Sequence, residues 1–125
     1  MINMSQDIIK IRQDVAKLLV DVILGKIKVL DALKKFPKDS NDDSVNTCFH
    51  ILVHFESDED LRKRDKLYKE TQDEFLVETA EILLSGNSLP LNIINEYKQF
   101  YQNDLIYKKM TKENILKRLG KFINL

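Results

Sequence analysis

Apolar positions recur along this chain at spacings of three and four, the repeat of one helix face. In the first segment Met4, Ile8, Ile11, Val15, Leu18 and Val22 form one stripe, with Ile9, Ala16, Leu19 and Ile23 as a second beside it. So wide an apolar surface predicts a helix over residues 5–24 that packs on two sides. Asp7, Asp14 and Asp21 return every seven residues on the opposite, solvated side. Ser5 suits the N-cap, and Gly25 suits the left-handed position that closes a helix. A short helix follows over 29–36, with Leu30, Leu33 and Phe36 inward. Pro37 ends it, because the residue before a proline is driven out of the α region.

The polar run 38–43 ends in Asn41, Asp42 and Asp43, which compete for the cap of a third helix reaching residue 56. Val45, Phe49, Leu52 and Phe55 share one face of it, and Cys48, Ile51 and Val53 widen that face. Ser57 offers the next cap, with Asp58, Glu59 and Asp60 in the first turn, where the helix dipole favours anions. The longest helix is expected over 58–85, with Asp65 as the place for a kink and Leu61, Tyr68, Phe75, Leu76, Thr79, Ile82 and Leu83 inward. Gly86-Asn87-Ser88 breaks it, and Pro90 fits a new first turn, where its missing N–H costs nothing. The helix begun there carries Ile93, Ile94, Tyr97, Phe100 and Tyr101, and either stops at Asn103-Asp104 or runs on to Tyr107. Thr111 caps a last helix with Ile115, Leu116, Leu119, Phe122 and Ile123 inward. No Asn-Gly or Asp-Gly joins two alternating runs, so hairpins have no support. The expected fold is all-α, a compact bundle of five or six helices forming one domain over residues 1–125.

Length agrees with this: 125 residues, 43% of them hydrophobic, suffice for one core without a disulfide or metal staple. Cys48 is the only cysteine and cannot bridge within the chain. Residues 1–10 lack a basic leader followed by an apolar run, and the apolar stretch 18–24 is interrupted by Asp21 and ends at Gly25. Neither a secretory signal nor a membrane span is expected, and the chain reads as cytoplasmic. Its Lys-, Ile- and Asn-rich usage is compatible with an AT-rich bacterial or phage coding sequence.

Charge changes the picture once it is located. Twenty Lys and Arg against twenty Asp and Glu give a formal net charge of zero, which argues against a globally basic nucleic-acid binder. Residues 56–81, however, hold five basic and ten acidic side chains, whereas residues 98–125 hold seven basic and two acidic. One segment therefore carries −5 and the other +5. Glu70, Glu74 and Glu78 follow each other at i, i+4, i+8, with Glu81 one step further. Like charges at that spacing repel by a few tenths of a kcal/mol each. Tyr97 and Tyr101 share one face of their helix, and tyrosine is enriched at protein interfaces. The four glutamates and these two tyrosines form the expected partner surface.

Candidate chemistry is sparse. His50 and His54, at i, i+4 in the third helix, have the spacing of paired metal ligands. At about 100° per residue they fall roughly 140° and 180° from Val45, on the narrow polar strip with Asp43, Thr47, Ser57 and Asp58. Asp58, four residues after His54, is placed to hold its ring, and Asp58, Glu56 or an acid of the fourth helix would supply the third and fourth ligands. Glu-x-x-His is absent, since Thr47 and Ile51 precede the histidines by three, so no ferritin-like carboxylate site is expected. No Gly-rich phosphate loop or nucleophile framework is present, and no cofactor is expected. Residues 111–120 (TKENILKRLG) resemble the first helix of a helix-turn-helix unit. Only five residues follow Gly120, too few for a recognition helix. Phosphate contact by Lys108, Lys109, Lys112, Lys117, Arg118 and Lys121 remains as a weak nucleic-acid reading. The leading expectation is a small helical protein–protein interaction module, an adaptor, regulator or immunity-type binder, without catalysis. A metal-binding protein built on His50 and His54 is the alternative. Homodimerisation is also expected, because the first helix carries more apolar surface than a lone N-terminal helix needs.

Overall fold

The two apolar stripes of the N-terminal segment build α1 (Met4–Ile23), which buries Val15, Ala16 and Leu19 completely. A computed structural model describes residues 4–37 and 39–99 of the chain. After α1 come α2 (Val29–Lys34), α3 (Asp43–Ser57), α4 (Glu59–Arg64), α5 (Lys66–Leu84) and α6 (Leu91–Lys98). The described chain is thus all-α, with six helices and no strand.

Gly25 closes α1 at φ +73°, with the Gly25 N–H donating to the Val22 carbonyl and the Lys26 N–H to the Asp21 carbonyl, the paired hydrogen bonds of a Schellman turn. The same pair recurs after α5, where Gly86 (φ +82°) donates to Leu83 and Asn87 to Ile82. Of the three competitors for the start of α3, Asp42 takes the position: its carboxylate accepts from the Val45 N–H.

α1 lies against α5 along its length and also touches α2 and α3, so both stripes are used inside the chain. Of its apolar side chains Val15, Ala16 and Leu19 are buried, whereas Ile9 keeps 38% exposure and Leu24, just beyond the helix, 61%. α3 packs on α1, α2 and α6, and residues 47–52 are all buried. Phe49 sits at the centre, edge-on to Phe36 at 5.5 Å between ring centroids. Leu76, Thr79, Ala80 and Leu83 are the contribution of α5 to this core, and Ile94 that of α6.

The long fourth helix is two helices. Asp65 is extended (φ −124°, ψ 102°), and its carboxylate accepts the Tyr68 N–H, capping α5. The capping bond interrupts the helix and takes α4 out of register with α5. Leu61 therefore leaves the inner face it was expected to share and stands 39% exposed, and α4 buries nothing. Ser57 is not the cap either. Its hydroxyl turns back to the Val53 carbonyl, and Asp58 occupies the junction without a capping bond of its own.

An ion pair not expected from the sequence fastens the other end of the molecule. Arg12 of α1 donates through Nε and Nη2 to both carboxylate oxygens of Asp42, at 2.9 and 2.8 Å, and through Nη1 to the Gly86 carbonyl at 2.9 Å. Gln13 beside it donates to the Leu84 carbonyl. Ser44 of α3 accepts the Leu89 N–H and meets the Ser88 hydroxyl. One corner of the bundle thus ties α1, the start of α3 and the α5–α6 turn together.

Candidate functional site

Sequence spacing puts His50 and His54 on one polar strip, and they do stand one turn apart on α3, but with different burial. His50 is buried, at 8% exposure, its ring edge-on to Phe49 at 5.4 Å. Thr47, assigned to the same strip, is also buried. α3 packs against α1, α2 and α6 and residues 47–52 are all buried, so polar positions in that stretch face protein rather than water, while Asp43, His54 and Ser57 keep exposure. His54, near the open end of α3, keeps an exposed side chain (57%) and donates Nε2–H to Asp58 Oδ2 at 2.8 Å. Asp58 holds the His54 ring, as its spacing predicted.

Asp58 gathers more than the histidine. The same Oδ2 accepts from the Tyr68 hydroxyl at 2.5 Å and from Gln72 Nε2 at 3.2 Å, both on α5. Gln72 also donates to the Tyr68 oxygen and accepts from Arg62 Nη1 at 3.1 Å. Arg62 in turn donates to the Phe55 carbonyl, and its guanidinium lies 3.5 Å above the Phe55 ring, a cation–π contact. The donated bond to a carboxylate pushes the Tyr68 hydroxyl above its usual pKa. Burial, followed by the nearby Glu96, Asp58 and Tyr68, does the same to Tyr97. Burial is also the main cause that raises Glu56, with Glu59 adding to it and Arg62 opposing.

A carboxylate-held imidazole is the arrangement that orients histidine for proton transfer. The groups around this one are committed elsewhere. The Tyr68 hydroxyl donates its hydrogen bond to the same carboxylate, the Ser57 hydroxyl bonds the Val53 carbonyl, and the Cys48 thiol is fully buried, where burial holds it protonated. Among the described residues no three His, Cys, Asp or Glu side chains gather in a way that could hold a metal ion. The cluster works as a clasp that joins α3, α4 and α5 through one carboxylate. Tyr68, Gln72 and Arg62 were not read as its members. The only signal for them was their spacing along two helices whose relative angle depends on the Asp65 break.

No protein-family model, curated protein or solved structure matches this chain. Function has to be argued from its own surface.

The acidic stripe lies where the charge pattern put it. Glu70, Glu74, Glu78 and Glu81 are all exposed on α5, opposite the face buried by Leu76, Thr79, Ala80 and Leu83. Three apolar side chains share that outer face: Leu67 (73% exposed), Leu84 (40%) and Val77 (38%). Lys69 is occupied by Asp73 at 2.8 Å. Tyr97, expected on the partner surface, instead packs half-buried against the core. Tyr101 and the basic positions Lys108, Lys109, Lys112, Lys117, Arg118 and Lys121 lie outside the described residues. No described helix is long and apolar enough to cross a membrane.

Proposed function

We propose that this chain is a small helical protein–protein interaction module, an adaptor, regulator or immunity-type binder, that contacts its partner through the outer face of α5. The observation that carries the reading is the composition of that face. Four exposed glutamates stand beside Leu67, Val77 and Leu84 on a helix whose other side is closed against α1. Glutamates at i, i+4 repel each other and add nothing to the core, so a solvated helix gains no stability from this spacing. Bordered by exposed leucines, they match a basic amphipathic surface. The His54–Asp58 clasp supports the same reading, because its polar groups are spent on one another rather than presented to a substrate.

The test compares full-length protein, immobilised, with its Glu74→Lys/Glu78→Lys variant in native lysate. A protein retained by the first and lost by the second is the expected result. Capture of nothing beyond further copies of the chain, or equal capture by both forms, overturns the proposal.

A further inference from the structure

Among the six described helices α4 alone buries no side chain; α2, equally short, sets Ala32 and Leu33 into the core, and α6 sets Ile94. Six residues do not hold a helix in water unaided, since isolated helices below about 12–15 residues are marginal. The contacts within α4 add little: Lys63 meets Glu59 at 3.1 Å with both side chains exposed, and Leu61 stands 39% exposed. Arg62 is what fastens it. The guanidinium donates to the Phe55 carbonyl of α3 and to Gln72 Oε1 of α5 at 3.1 Å, and it lies across the Phe55 ring. The neighbouring helices are complete without α4. The Asp58 N–H returns to the His54 and Phe55 carbonyls at the end of α3, and Asp65 caps α5 through the Tyr68 N–H. The packing of α1 on α5 and of α3 on α6 bypasses α4 altogether. Opening α4 therefore breaks polar bonds around one guanidinium and disturbs no core side chain. Four of the five residues 62–66 are basic: Arg62, Lys63, Arg64 and Lys66.

We infer that α4 is a strap, latched by Arg62, that opens while the rest of the bundle stays folded, and that the open strap is a cleavage site for a protease whose acidic primary pocket takes Lys or Arg. Hydrolysis after Lys63 adds water across the amide, its hydroxyl to the Lys63 carbonyl carbon and its hydrogen to the Arg64 nitrogen, and leaves a new carboxylate and a new amine. The two pieces stay together. α1 still packs on α5 and α3 on α6, Arg12 still donates to the Gly86 carbonyl, and the Leu89 N–H still donates to Ser44. Cleavage thus converts one chain into two that share the same core, with the outer face of α5 left in place.

Trace trypsin on the full chain, with the products read by mass spectrometry, tests this. Cuts after Lys63 or Arg64 are expected ahead of any cut after Arg12 or Lys17 of α1, and the two pieces should co-elute as one helical species. Cutting follows the population of the open form when closing is fast, so Arg62→Gln should raise the rate at these two bonds by about 5–30-fold. Gln72→Ala removes an acceptor of Arg62, keeps every cutting site, and should move the rate in the same direction. Gly86→Ala strains the far end of α5, lowers global stability, and should leave the rate unchanged. Cuts that begin in α1, a rate that rises as much with Gly86→Ala as with Arg62→Gln, a rate indifferent to both latch variants, or pieces that separate or unfold once cut overturn the inference.

Discussion

Arg12 concentrates three bonds on one side chain that is only 16% exposed, facing an Asp42 that is 13% exposed. Removing one member of a buried, bidentate pair leaves the other charge without its partner, and this costs more than the pair itself contributes. Arg12→Ala is therefore expected to lower stability by about 2–4 kcal/mol, measured by urea unfolding. Arg12→Lys should recover little of that, because an ammonium cannot reproduce the planar fork across Asp42 and the Gly86 carbonyl. A lysine variant as stable as the parent would show that charge alone matters. Cys48 offers a second test at this scale. Burial pushes its thiol up and shields it, so it should resist thiol reagents at neutral pH and react at the rate of global unfolding. Fast labelling under native conditions would place it in a locally opening segment. Cys48 was legible in the sequence, since a cysteine beside Phe49 on an apolar helix face is a buried one. Arg12 was not: its partner is 30 positions away, and long-range pairing leaves no periodic trace.

At the level of elements, the best-read features are those set by local chemistry. Gly25, Asp42, Gly86 and Pro90 mark boundaries within two residues of where the helices start and stop, and Pro37 lies three beyond the end of α2, because caps and breakers act on adjacent backbone. Less legible was how one element meets another. His50 looked solvent-facing because periodicity measures direction around an axis, not which neighbours enclose that axis. Leu61 looked buried because one long helix was assumed across Asp65. The two closing glycines separate these influences experimentally. Both sit at positive φ, so an alanine at either is strained by roughly 1 kcal/mol or somewhat more. A Cβ at Gly25 meets nothing, whereas one at Gly86 would lie 2.8 Å from Ile9 Cγ2. Gly86→Ala should accordingly cost more than Gly25→Ala by at least about 1 kcal/mol of overpacking. Ile9→Ala in the Gly86→Ala background should return part of that excess. Equal costs at the two glycines, or no recovery, would mean that α1 yields easily at the α5–α6 turn.

For the molecule as a whole, the Asp58 clasp makes stability depend on alkaline pH. The Tyr68 hydroxyl donates a hydrogen bond to a carboxylate, and Tyr97 is half-buried near the same acid, so both hold their protons more tightly when folded than the unfolded chain does. The unfolded phenols ionise near pH 10. Raised folded-state pKa values mean that this contribution is complete below about pH 10 and is lost as pH climbs through the folded values. Urea midpoints measured from neutral pH upward should therefore fall once the unfolded tyrosines begin to ionise. Lysines titrate nearby, but they are common to every variant, so the comparison isolates the phenols. Tyr68→Phe lowers stability at neutral pH by the worth of its bond to Asp58, on the order of 1–2 kcal/mol. The Tyr68→Phe/Tyr97→Phe pair should also flatten the alkaline decline, because neither ring can then release a proton on unfolding. If the decline keeps its slope in the double variant, the protons come from elsewhere and the clasp is not what couples the bundle to pH. If the slope flattens while the neutral-pH midpoint barely moves, Asp58 has replaced the lost donor with solvent, and α3, α4 and α5 are held together by packing more than by the carboxylate.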